Sequence, residues 1–148
     1  MTYWRLFYHM TWSTKNREPL ILPRFSDSLQ NSIAAKAAAL GAYVYAVGGV
    51  EDHVHLVASV PPRIALTEFI RQVKGNSSHF ANNDLNLPRP FRWQSEYGIL
   101  SFDGKLLDRV VEYVRNQQRH HLDHTTIPVF EKVSGDDRHR PIAPENAQ

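Results

Sequence analysis

Two histidines, His53 and His55, stand one residue apart inside the otherwise apolar run EDHVHLVASV, residues 51–60. In an extended strand, side chains i and i+2 leave the same face, so both imidazoles project together. Two neighbouring imidazoles can bind a divalent ion. For an isolated His-x-His, a pair of solvent-facing histidines on a half-exposed sheet is the commoner outcome. A histidine-triad nucleotide hydrolase needs a third histidine two residues further on, where this chain has Val57. The second group with chemical potential lies in DGKLLDRVVEYVRNQQRHH, residues 103–121. At about 100° per residue this run is an amphipathic helix whose apolar arc holds Leu106, Leu107, Val110, Val111 and Val114. Tyr113 and Gln117, four residues apart, continue the edge of that arc as surface neighbours. A tyrosine there is usually packing, but a covered glutamine needs partners for its amide. Docked over the histidine face, the Gln117 amide oxygen would complete a His, His, Gln metal site, with Tyr113 one helical turn away.

The elements that must position these residues follow from periodicity. Tyr3 to Thr14 alternates, with Trp4, Leu6, Tyr8, Met10 and Trp12 on one face of a strand. Pro23 to Leu40 has apolar residues at helical spacing and ends at Gly41. Ala42 to Val50 is a second strand, and His53 to Val60 a third, closed by Pro61 and Pro62. A second helix spans about Ala65 to Asn82, a fourth strand lies near Gly98 to Phe102, and the third helix covers about Gly104 to His120. The order β-α-β-β-α-β matches the α+β, ferredoxin-like sandwich, an antiparallel sheet with two helices on one face. The third helix is additional and must dock on the open sheet face or on another subunit. One domain over residues 1–133 is expected, followed by a polar tail, 134–148, with little to bury.

The chain has no cysteine, which excludes disulfides and thiolate metal sites and fits a reducing cytoplasm. No apolar run approaches the ~20 residues of a membrane span, and the N-terminus has no signal-peptide pattern. A cytoplasmic location is therefore expected. The pI of about 9.0 leans weakly toward anionic partners.

The pieces YHMTWSTKNREPL, GGVEDHVHLV, FIRQVKGNSS and YVRNQ, in this order and spacing, resemble the single-tyrosine HUH transposases of small insertion sequences, the insertion-sequence-200-like transposases. The resemblance runs from about Tyr3 to His121. It implies a ferredoxin-like core and metal-assisted cutting and rejoining of single-stranded DNA. It also implies His53 and His55 as paired ligands of Mg²⁺ or Mn²⁺, Gln117 as third ligand, and Tyr113 as the nucleophile that forms a 5′-phosphotyrosine. Lys74 and Gly75 match the family's Lys-Gly close to DNA, and Trp12, Lys15 and Arg17 match its strand-end segment. The implied partners are hairpins formed by imperfect palindromes and a second copy of the chain, with the tyrosine helix serving its own site or its partner's.

The residues agree with this chemistry. A phenol with a pKa of about 10 is a poor nucleophile at neutral pH and needs help, which a divalent ion beside the phosphate supplies. His121, four residues from Gln117, is an alternative ligand. His9 faces away from the apolar stripe and can reach the site, although a structural role suits it better. Tyr97 is the rival nucleophile, but it precedes a strand and has no Gln117 beside it. Arg63, Arg71, Lys74, Arg115 and Arg119 offer phosphate contacts, and Trp93 or Tyr97 a stacking platform. Two other functions fit less of the pattern. One is a domesticated repeat-associated, replication-initiating or plasmid-relaxing nuclease with the same chemistry. The other is a non-catalytic nucleic-acid-binding module, which requires neither HVH nor Y-x-x-x-Q.

Overall fold

A computed structural model describes residues 1–135. Four strands, β1 (Tyr8–Ser13), β2 (Tyr43–Val50), β3 (His53–Ser59) and β4 (Gly98–Ser101), form one sheet in the order β2-β3-β1-β4, antiparallel at every pairing. With helices α1 (Pro23–Ala39) and α2 (Leu66–Asp84) on one face, this is the ferredoxin-like α+β arrangement expected from the element order. Pro23 at the first helical turn presets φ for α1, which buries Leu29, Ile33 and Ala37 at four-residue spacing. Gly41, at φ 96°, lets the chain leave α1 in a conformation that L side chains avoid. Phe69, Ile70, Val73, Ser77 and Ala81 form the buried stripe of α2. These stripes close on Met10, Trp12, Val54, Leu56 and Ala58 of the two central strands. Every residue of β3 is buried, so its histidines are not the solvent-facing pair that HVH alone suggests.

The other sheet face is covered by the rest of the chain. The sequence predicts one helix over 104–120. The structure has instead a 3-10 turn (Gly104–Leu106), α3 (Leu107–Arg115) and α4 (Gln117–Leu122), broken at Asn116 with φ −104° and ψ 28°. The Asn116 side chain donates to the Glu112 carbonyl at 2.9 Å, an asparagine competing with the helix for its own backbone. A short helix, α5 (Pro128–Glu131), lies where periodicity indicates no element. Two glycines let these segments lie directly on the sheet. A Cβ at Gly48 would overlap the carbonyl oxygen of Val114 in α3, and one at Gly98 would overlap that of Lys132, just after α5.

The first strand is shorter than its alternation suggests. It starts at Tyr8 because its neighbours end at Ser59 and Ser101, leaving Tyr3 with no ladder partner and largely exposed. Among the described residues, no helix is long and apolar enough to cross a membrane. Most of the 134–148 tail lies outside the described residues. Within the segment before it, Val133 is buried.

Candidate metal and tyrosine site

Period-2 geometry puts His53 and His55 of β3 on the face opposite α1 and α2, beside Ser13 and Thr11 of β1. His9 sits diagonally across the β1–β3 ladder, and its Nε2 lies 2.8 Å from His55 Nδ1. Asp52, in the β2–β3 turn, holds His53 Nδ1 at 2.6 Å. Arg17 stands 3.6 Å from the other Asp52 oxygen. Each imidazole is thus fixed through Nδ1, and Nε2 is left for a ligand role.

Both Nε2 atoms face Glu131 of α5, at 3.0 Å from its Oε2 for His53 and 3.1 Å for His55. These ion-pair distances lack hydrogen-bond alignment: His53 Nε2, His55 Nε2 and Glu131 Oε2 are all buried without a hydrogen-bond partner. Buried polar atoms are normally paired. The three potential ligand atoms lie within 4.8 Å of one another, a donor set that fits a divalent ion.

The tyrosine completes the cluster. The Tyr113 hydroxyl donates to Glu131 Oε1 at 2.5 Å and accepts from the Ile127 N–H at 3.0 Å. Its ring stacks on His120 at 4.8 Å and packs against Phe130 at 5.2 Å and His55 at 6.1 Å. Tyr113, His53 and His55 are 4 %, 2 % and 0 % exposed, so all three are covered.

Burial sets the titration of this cluster. It pushes Tyr113 up to about 12, reinforced by the hydrogen bond to Glu131. It lowers His9 to about 3, with His55 as a nearby repulsive partner, and it also lowers His55. For His53, burial works downward but the Asp52 and Glu131 carboxylates outweigh it, raising the group to about 9. Burial opposes ionisation of Glu131 too, yet the two histidines and Tyr113 hold it well below the usual carboxylate range.

The structure brings Tyr113, His53, His55, Gln117 and His121 into one neighbourhood. Gln117 is buried, but its Oε1 lies 3.1 Å from His121 Nε2 and its Nε2 donates to the Tyr113 carbonyl at 3.3 Å. His121 lies 3.5 Å from Glu131 Oε1. Tyr97 lies apart, at the entrance to β4, with Lys74 Nζ 6.0 Å from its ring centre.

The residues read as DNA contacts sit at other places. Lys74 is half-buried, and its ammonium donates to the carbonyls of Gln94, Ser95 and Glu96, at 2.5 Å for the first. Burial lowers its pKa. Arg71 is engaged with Glu68 at 2.8 Å. Lys15 and Arg17 are exposed in a 3-10 turn after β1. Trp93 donates to Ser77 Oγ at 2.9 Å and packs edge-on to Trp12.

Sequence reasoning missed Glu131 and Asp52. Asp52 adjoins His53 in the chain and carried a signal, since a carboxylate beside a ligand histidine is its usual outer partner. Glu131 had none, because no spacing rule links a carboxylate in IPVFEKV to a strand so far upstream.

Fold and site together describe a ferredoxin-like α+β protein that folds a tyrosine helix and a carboxylate back over a strand-borne histidine pair. The family described as "Transposase IS200 like" matches residues 2–117, and the chain belongs to that family of DNA-processing enzymes. It is 26% identical over 119 residues to the ISDra2 transposase TnpA of Deinococcus radiodurans, covering 77% of this chain and 85% of that one. It is also similar to two solved structures. A candidate transposase of Deinococcus radiodurans R1 superposes with a TM-score of 0.58 at 22% identity, over 79% of this chain and 95% of that one. A REP-associated tyrosine transposase bound to a REP hairpin superposes with a TM-score of 0.60 at 16% identity, over 82% of this chain and 74% of that one. At these identities the two structures establish the fold.

Proposed function

We propose that this transposase cleaves and rejoins single-stranded DNA at hairpin-marked ends, through a 5′-phosphotyrosine on Tyr113, with a divalent ion held at His53 and His55. One observation carries this reading: the Tyr113 hydroxyl and both free Nε2 atoms converge on the same carboxylate, so nucleophile and metal ligands meet at one point. When bound, Mg²⁺ or Mn²⁺ supplies Lewis-acid stabilisation and orientation of the scissile phosphate.

The chain's own residues do the rest. Asp52 and His9 keep the imidazoles turned with Nε2 outward. Tyr113 contributes the attacking oxygen. Its O–P bond forms as the P–O3′ bond breaks, the phenolic proton leaves toward the Glu131 oxygen it already faces, and the departing 3′-oxygen takes a proton from water. The tyrosine ester conserves the phosphodiester energy, so a free 3′-hydroxyl can reverse the step and join strands without ATP. The Tyr113 ring packs 6.1 Å from His55 within one chain, which supports a nucleophile serving its own histidine pair. Such a reaction belongs inside the cell, where single-stranded genomic DNA arises.

The DNA-binding surface is expected along the exposed side of α2 and the turn after β1, where Gly75, Arg71, Lys15 and Arg17 are exposed. Gly75 supports this placement. It sits in mid-helix with open space where a Cβ would point, so nothing within the fold requires a glycine there. A phosphate backbone approaching closely does require one. Gly75→Ala is expected to stabilise the chain by about 0.5–1 kcal/mol in a denaturant melt while weakening hairpin binding in a gel-shift assay. Tighter binding by this variant would remove α2 from the interface.

The decisive experiment incubates the full chain with end-labelled single-stranded DNA carrying the hairpins that flank its gene, with Mn²⁺, Mg²⁺ or EDTA. A denaturing gel should show a metal-dependent covalent adduct, lost when the same DNA is a full duplex. No adduct with any cognate end, or equal adduct in EDTA, overturns the reading.

A further inference from the structure

We infer that Glu131 is the third protein ligand of the metal, delivered to the histidine pair by the C-terminal segment of the same chain; this rests on the proposed metal site at His53 and His55. The family resemblance assigns that place to Gln117, yet here both ends of the Gln117 amide are engaged by residues of α3 and α4 rather than by the histidine pair. Its oxygen faces His121 Nε2 and its nitrogen donates to the Tyr113 carbonyl. Glu131 Oε2 is the oxygen that faces both Nε2 atoms.

Three physical arguments favour the carboxylate. Two neutral imidazoles and a neutral amide put no negative charge in contact with a buried doubly charged ion, whereas a carboxylate ligand cancels half of that charge directly. The three atoms also converge on one another without forming aligned hydrogen bonds. Glu131 Oε2 stands 3.0 Å from His53 Nε2 and 3.1 Å from His55 Nε2, all three atoms lie within 4.8 Å of one another, and each is buried. A carboxylate that merely covered the site would gain by aligning with the imidazole N–H groups. Finally, the segment is anchored on the sheet at defined points, although α5 itself has no fully buried residue. Phe130 packs between His9, at 4.9 Å, and Tyr113, at 5.2 Å, Val133 is buried, and Gly98 gives way to the Lys132 backbone. Two histidines and one carboxylate leave coordination positions open and suit Mn²⁺. Because its other oxygen holds the Tyr113 hydroxyl, Glu131 would fix the distance between metal and nucleophile.

The test measures Mn²⁺ binding to the full-length chain by calorimetry or by the loss of the free-ion EPR signal, without DNA. Glu131→Gln is expected to weaken binding by more than the ~10–100-fold that loss of an outer partner typically costs. Gln117→Ala is expected to bind Mn²⁺ as the unaltered chain does. If Glu131→Gln melts at a lower temperature, Glu131→Asp, which keeps the charge, should recover part of the affinity. Unchanged Mn²⁺ affinity in Glu131→Gln, with affinity lost in His53→Ala, overturns the Glu131 assignment and leaves the proposed function standing. Unchanged affinity in His53→Ala overturns the metal site itself. Faster DNA cleavage by Glu131→Gln at unchanged metal affinity would make Glu131 a cover rather than a ligand, and also overturns the assignment.

Discussion

Tyr113→Phe is expected to abolish the covalent protein–DNA adduct completely while leaving hairpin binding and folding nearly intact. The substitution removes one oxygen, the atom that would bond to phosphorus, and no other phenol stands at the histidine pair, since Tyr97 lies apart beside Lys74. The structural cost is small. The hydroxyl makes two hydrogen bonds, to Glu131 and from the Ile127 N–H. Each is worth about 1 kcal/mol net. Both partners lie at the edge of the cluster rather than in the central core, with Ile127 exposed and Glu131 18 % exposed, so the cost is limited to these two bonds. The ring contacts to His120, Phe130 and His55 survive. Measuring adduct yield beside a thermal melt separates the two effects. An adduct that persists in Tyr113→Phe places the nucleophile elsewhere.

The second large effect is expected from His55→Ala. Cleavage should fall below detection, and Mn²⁺ binding with it, while hairpin affinity stays close to that of the unaltered chain. His55 is fully buried at the middle of the cluster, with His9 on Nδ1 and Glu131 near Nε2. Its removal deletes one of the two imidazoles proposed to hold the metal and the partner of His9 Nε2. The surface proposed to hold the hairpin lies on α2 and the turn after β1, and α2 covers the opposite sheet face. Arg17 of that turn reaches Asp52 and not His55, so a gel shift reads hairpin binding apart from the loss of His55. Parallel loss of hairpin binding and cleavage, in a chain that melts normally, would mean that the histidine pair shapes the DNA surface rather than the chemistry. Some loss of stability is expected in any case, because the vacated space in a close-packed interior refills only partly.

Local rules made much of this architecture legible. Strand alternation in β1 and β3, the stripes of α1 and α2, Pro23 and Gly41 as helix boundaries, and the βαββαβ order all follow from periodicities of two and 3.6 residues. The same rules put His53 and His55 on one face, and Tyr113 beside Gln117. They were less informative where an element's extent depends on its neighbours. The strand read from Tyr3 begins at Tyr8, because a ladder ends where its partners end. The helix read over 104–120 breaks at Asn116, where a side chain bonds back to the turn above it.

The sequence by itself determined which side chains share a face locally: an imidazole pair two residues apart on a strand, and a tyrosine four residues before a glutamine on the segment that follows β4. Side-chain direction within an element is fixed by backbone geometry, which a short stretch of chain already contains. Only the tertiary structure decided what meets what. It folded α3 onto β2 over Gly48, carried α5 across β4 at Gly98, and set Glu131 between the histidine pair and the tyrosine. Those encounters depend on close packing between segments distant in the chain, and no periodicity records which carboxylate will arrive there.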